Sequence, residues 1–137
     1  MGLFQLTYQS TAISNLDEKD LKSILDAATL LNKQLQITGC LVYYGGHFVQ
    51  ILEGNEEDVR FVYNKILQDK RHHSIKLLWE CSAETRFFAD WHMGYYVPLS
   101  DNESLFVNNY KLLSSLSDKS QGSLLSFWSA VDRALVL

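Results

Sequence analysis

Tyr8, Asn32 and Gln50 are residues whose types could do chemistry together: one phenol, which donates a hydrogen and becomes far more acidic on losing an electron, and two carboxamides, each able to donate and accept. Gln50 stands out within the run Ile37-Thr38-Gly39-Cys40-Leu41-Val42-Tyr43-Tyr44-Gly45-Gly46-His47-Phe48-Val49-Gln50-Ile51-Leu52-Glu53-Gly54. Two strand-like stretches rich in β-branched and aromatic residues meet there at Gly-Gly, a strong hairpin pattern. A two-residue primed turn pairs Tyr43 with Phe48 and Leu41 with Gln50. Alternation then places Gly39, Leu41, Tyr43, Phe48, Gln50 and Leu52 on one face, where Gln50 carries the one side-chain amide. Burying that amide without partners costs about 1–3 kcal/mol, so it must meet either a neighbouring protein group or a ligand. The residues alone leave both open.

The elements that must position these groups can be traced along the chain. Leu3 to Gln9 alternates, with Phe4, Leu6 and Tyr8 on one side, as a half-buried first strand would. Asn15 followed by Glu18 has the form of a capping box opening a helix whose stripe Leu21, Ile24, Leu25 and Ala28 continues onto Asn32. Asn32 is then a helix cap or a polar group facing inward. Asn55-Glu56-Glu57-Asp58 opens a second helix with Val59, Val62 and Ile66 buried, and the next position on that stripe is Asp69. Lys65, Asp69, Arg71 and His72 cluster at its end, where a solvated charged terminus is the ordinary explanation.

Ile75 to Ser82 follows as a fourth strand whose alternation is blurred by Leu78. Trp91 to Val97 reads as a fifth, with Trp91, Met93, Tyr95 and Val97 of one parity and Pro98 as its stop. A helix over 100–116 opens at Ser100-Asp101-Asn102-Glu103, and a last helix carries Leu124, Phe127, Trp128, Val131 and Leu135. The order β1-α1-β2-β3-α2-β4-β5 predicts a ferredoxin-like α+β sandwich over 1–98, followed by two capping helices over 99–137. Right-handed crossovers put both main helices on one face of the sheet, where Tyr8, Gln50 and Asn32 converge.

Composition narrows the function. The chain has 137 residues, 47% apolar, which suits one domain with a genuine core, and its net charge of −4 without a basic run argues against a nucleic-acid surface. With no apolar run of spanning length and no signal-type N-terminus, the expectation is a cytoplasmic protein off the membrane. Cys40 and Cys81 lie in strand-like runs without metal spacing, and read as reduced apolar residues.

Leu6-Thr7-Tyr8-Gln9-Ser10, Asn32 with Ile37-Thr38-Gly39, Phe48-Val49-Gln50-Ile51-Leu52-Glu53-Gly54, Asp69-Lys70-Arg71-His72-His73 and Trp91-His92-Met93 together resemble the BLUF family, blue-light sensors using flavin. The resemblance covers residues 1 to about 98, and the tail resembles that of the family's short members. It implies a flavin, FAD or else FMN, between the two main helices. Tyr8 would donate to Gln50, Gln50 would reach the ring's N5/O4 edge, and Asn32 would hold its polar edge. Ile24, Leu25 and Leu31 would flank the ring, Asp69, Arg71 and His72 would line the far end, and Lys65 would meet a phosphate or ribose. Trp91 and Met93 would relay the switched state. Leu31 stands where many members have Asn or His, and Gln36 where Gly usually precedes Ile-Thr-Gly.

The resemblance thus implies a photosensor without catalytic turnover, acting on a downstream signalling protein and as a homo-oligomer. Two alternatives compete. An acylphosphatase-like hydrolase wants an Arg-bearing anion loop after the first strand, and Gln9-Ser10-Thr11-Ala12 supplies no Arg. A light-insensitive interaction module would have little use for three polar groups in one apolar layer.

Overall fold

The computed structural model describes residues 2–96 and 127–132. Its elements are β1 (Leu3–Ala12), α1 (Glu18–Leu35), β2 (Thr38–Tyr44), β3 (His47–Gly54), α2 (Glu56–Leu67), β4 (His72–Ala83) and β5 (Gly94–Tyr96). They form a five-stranded sheet in the order β4-β1-β3-β2-β5, antiparallel except for the β2–β5 pair. This is the ferredoxin-like α+β order with one strand added beside β2. No described helix is long and apolar enough to cross a membrane. The anticipated helix over 100–116, Pro98 and the boundary near residue 98 fall outside the described residues.

The hairpin has the expected register: Gly45 and Gly46 take φ of 59° and 81°, and Leu41 pairs with Gln50 and Tyr43 with Phe48. Gly39 is required for another reason, since a Cβ there would lie 2.1 Å from the Ile51 carbonyl oxygen. One face of the sheet meets the helices through Phe4, Leu6, Ile37, Leu52, Val59 and Val62. The opposite face buries Cys40, Val42, Val49, Ile51, Leu78 and Phe88 beneath Phe127, Trp128 and Val131 of the short helical segment 127–132. That segment therefore caps the outer face, as its apolar stripe suggests.

Several boundaries differ from the sequence expectation. The cap of α1 is Asp17, not Asn15: its carboxylate accepts from the Asp20 amide at 2.8 Å, and the Asp20 side chain accepts in return from the Asp17 amide. A charged pair two residues downstream wins because it also meets the positive helix end. β4 begins at His72 rather than Ile75, and Leu78 is the surplus residue of a register shift between Thr7 and Tyr8, which face Trp79 and Leu77. The bulge turns Leu78 into the outer core and leaves Leu77 42% exposed, which accounts for the blurred alternation. β5, described over Gly94–Tyr96, begins at Gly94 rather than Trp91, so Trp91 and Met93 lie ahead of it and do not share a strand face, while Val97 falls outside the described residues.

Gln36 closes α1 at φ 56°, ψ 38°, with its amide donating back to the Asn32 and Lys33 carbonyls. This left-handed position explains the preference for Gly there, because a Cβ crowds the following carbonyl. The Gln36 side chain is exposed. Gln36→Gly should therefore stabilise the protein by about 1 kcal/mol, read as a higher midpoint in chemical denaturation with an unchanged slope.

Candidate functional site

α1 stands away from the sheet. Leu21, Ile24, Leu25, Ala28 and Leu31 of its apolar stripe are half-buried, and the one fully buried side chain of the helix is polar: Asn32. Between α1, α2 and the sheet lies a cleft, open to solvent, with mostly apolar walls. Tyr8 and Gln50 from the central strands form its floor, Ile24, Leu31 and Asn32 one wall, and Lys65, Asp69, Arg71 and His72 its far end. Nine of the residues singled out from sequence thus meet at one place.

On the floor, the Tyr8 hydroxyl donates to Gln50 Oε1, and Gln50 Nε2 points to Met93 Sδ at 3.4 Å. Tyr8 and Gln50 are adjacent because β1 and β3 pair them directly. Burial raises the Tyr8 phenol far above its usual range, and the nearby Tyr63 and Asp69 push the same way. Tyr8 is accordingly a neutral donor at any physiological pH. The polar partner that Gln50 requires is supplied from both sides, by the phenol and by the thioether.

Asn32 Nδ2 donates to the His92 carbonyl at 2.7 Å, whereas its Oδ1 is buried without a hydrogen-bond partner among the described residues. An unmet acceptor at the edge of an apolar cleft costs about 1–3 kcal/mol. It fits a planar ring carrying an N–H at its rim, which is what a flavin presents.

The far end is internally tied. Arg71 grips Asp69 through Nε at 2.9 Å and Nη2 at 2.6 Å, and its hydrogen bonds hold the Asp69 carboxyl below the usual carboxylate range against the upward pull of burial. His72 Nε2 donates to the Ile66 carbonyl at 2.7 Å, so in the neutral ring Nδ1 accepts from the Ser10 hydroxyl at 2.7 Å. The Lys65 ammonium lies 5.2 Å from the Phe61 ring centroid at the exposed rim.

Two expected residues lie elsewhere. Leu25 faces a neighbouring groove with Leu21, Tyr43 and Tyr95. Trp91 is 38% exposed, and it is its carbonyl, accepting from the Gly39 amide at 3.0 Å, that is engaged. The residues that sequence reasoning missed are Ala27, Ala28, Leu41, Phe48, Val62 and Ile66 on the cleft walls, and Ser10 behind His72. Leu41 and Phe48 share the parity of Gln50, and Ser10 that of Tyr8, so alternation held the clue. The carbonyl of His92 leaves no trace in the sequence.

An α+β sandwich with an apolar cleft under two separated helices, floored by a neutral phenol bonded to an amide, has the form of a site for a flat, largely apolar ligand. The profile described as "Sensors of blue-light using FAD" matches residues 3–94. The chain belongs to the BLUF family. It is 40% identical over 90 residues to the photoactivated adenylate cyclase subunit beta of Euglena longa, a match covering 65% of this chain and 10% of that protein. It is 37% identical over 86 residues to the blue light- and temperature-regulated antirepressor BluF of Escherichia coli K12, covering 62% and 21%. The chain thus spans about a tenth to a fifth of these curated relatives. Among solved structures, BlsA in its photo-activated state superposes with a TM-score of 0.84 at 30% identity, covering 95% of this chain and 94% of BlsA. That family is one of blue-light sensors that use a flavin.

Proposed function

We propose that Tyr8 and Gln50 are the photoactive pair, and that the switched state leaves through Met93 and the fifth strand toward residues 91–137, where it changes association with a partner or between subunits. The reading rests above all on one observation: the Tyr8 hydroxyl bonded to Gln50 Oε1, with the amide nitrogen of Gln50 on Met93. A flavin held in the cleft supplies, on absorbing blue light, a strong one-electron oxidant beside a proton-accepting ring edge. Tyr8 gives up an electron, and its phenol, made acidic by that loss, releases its proton to Gln50. Gln50 would then be free to rotate or tautomerise, and would settle in a new hydrogen-bond pattern once an electron and a proton have both returned to Tyr8. Rotation would turn Oε1 toward Met93 Sδ, setting two acceptors against each other where a donor had been. Met93 is thereby displaced, and a few kcal/mol of altered contact suffices to change association.

The cofactor in this reading is FAD, with FMN as the alternative. Arg71 is engaged by Asp69, which leaves Lys65 as the cleft-lining cation available to a phosphate among the described residues. Mass analysis of the flavin released on denaturation decides between them. Asn32→Ala should weaken flavin binding by about 1–3 kcal/mol, as expected for one buried hydrogen bond, and an unchanged dissociation constant would count against Asn32 as the ring's acceptor.

The test of the whole proposal is the purified protein in the dark and under blue light. Its flavin band should move reversibly to the red, and its assembly, alone or with its partner, should change with light. Met93→Ala should retain the red shift and lose the change in assembly. Full light-dependent assembly in that variant would remove Met93 from the route.

A further inference from the structure

Between Ala83 and Gly94 the chain crosses from one edge of the sheet to the other, from β4 past β1, β3 and β2 to β5. Four inter-strand spacings amount to roughly 19 Å, and ten residues can reach roughly 33 Å, so length alone does not dictate the path of this connection. Nor does regular structure, because residues 84–93 contain only bends and turns. Yet the connection delivers Met93 to Gln50 and the His92 carbonyl to Asn32. Something must set its course midway.

Glu53 sits at that midpoint, on the central strand β3 and on the sheet face opposite Gln50, and it is 2% exposed. Its Oε2 accepts the Phe87 amide hydrogen at 2.5 Å, and Oε1 accepts those of the Phe88 amide and the Thr38 hydroxyl, both at 3.0 Å. Arg86 closes the network by donating to Thr38 Oγ1 at 2.8 Å and to the Glu53 carbonyl at 3.1 Å. Every group facing the carboxylate is a donor, so both oxygens are used. Burial pushes the carboxyl above the usual carboxylate range, and the two amides, Thr38 and Arg86 offset this only in part. Phe88, fixed in this way, meets Trp128 edge-on at 5.6 Å between ring centroids, so the same anchor also seats the outer-face segment 127–132.

We propose that Glu53 is a positioning residue of the photoswitch: by holding the Phe87 and Phe88 amides it sets the course of residues 84–93, and through them the seat of Met93 against Gln50 and of Phe88 against Trp128. The proposal rests on the photosensory reading above, and its test separates the two. The chain has two methionines, Met1 and Met93, so methyl-labelled methionine reports Met93 directly, without any photochemistry. In the flavin-bound full chain, Glu53→Gln replaces one acceptor by an NH₂ that opposes an amide hydrogen. Amide exchange at Phe87 and Phe88 should accelerate roughly tenfold, as for one lost charge-assisted hydrogen bond. The dark-state Met93 methyl resonance should move by more than its linewidth. Recovery from the red-shifted state should change severalfold, with the position of the shifted band unchanged. Arg86→Ala, at the half-buried edge of the network, should move all three in the same direction by less, and it carries the test if Glu53→Gln does not fold. A Met93 resonance and recovery rate equal to those of the unmodified protein, with or without faster exchange, would overturn the proposal. An unmodified protein that does not red-shift would instead overturn the photosensory reading, leaving the Met93 resonance and the exchange rates to judge the anchor.

Discussion

Tyr8→Phe should yield a protein that still binds flavin and shows no red-shifted state in blue light. Ring volume is retained in the floor of the cleft, so the binding surface survives, but the group that gives up an electron and a proton is gone. The expected loss is complete, and a normal light-minus-dark spectrum would refute Tyr8 as the donor. The same substitution carries a pH signature. The folded protein holds Tyr8 as a buried neutral phenol with a raised pKa, whereas the unfolded chain ionises near pH 10. The stability that Tyr8 contributes is therefore fully present below about pH 10 and is lost above it, at about 1.4 kcal/mol per pH unit. Unfolding midpoints of the two proteins across pH 8 to 11 should converge toward, and then favour, the Phe variant on the alkaline side. A constant difference would mean that Tyr8 ionises alike in both states.

Gln50→Leu should be equally silent to light, for a different reason: Tyr8 remains able to donate, but no amide is left to take the proton and rearrange. The variant should also be destabilised by about 1–3 kcal/mol, because the Tyr8 hydroxyl is left buried without its acceptor. Adding Tyr8→Phe to it removes the orphan hydroxyl as well. Denaturation of the double variant should recover most of that loss, since replacing both partners of a buried hydrogen bond by apolar groups is nearly neutral. A persistent red shift in Gln50→Leu would show that the amide is not the switch.

Much of this protein follows from local pattern. Alternation along Leu3 to Gln9 and across the Gly45-Gly46 hairpin assigned Tyr8 and Gln50 to one face, because a primed turn and a period of two leave a single register. The stripe of the first helix led to Asn32 through its 3.6-residue period, and acidic helix starts and apolar spacing located both main helices. The resemblance to a flavin-binding family added what periodicity could not, namely the ligand.

The remainder is non-local, and that is why the chain alone did not contain it. Leu78 reads as an error of alternation until the bulge against Thr7 and Tyr8 absorbs it, and a bulge is a property of two strands. Trp91 and Met93 share a parity only if the fifth strand begins at Trp91. The strand instead begins at Gly94 because the preceding connection is held by Asn32, Gly39 and Glu53, groups 34 to 60 positions away along the chain. Gln50 required a partner by its burial, but that the partners are a phenol on one side and a thioether on the other was decided when β1, β3 and the crossing connection came together. Ile24 and Leu25 are neighbours on one helical stripe, yet the packing of α1 away from the sheet turns Ile24 toward the cleft and Leu25 toward a neighbouring groove.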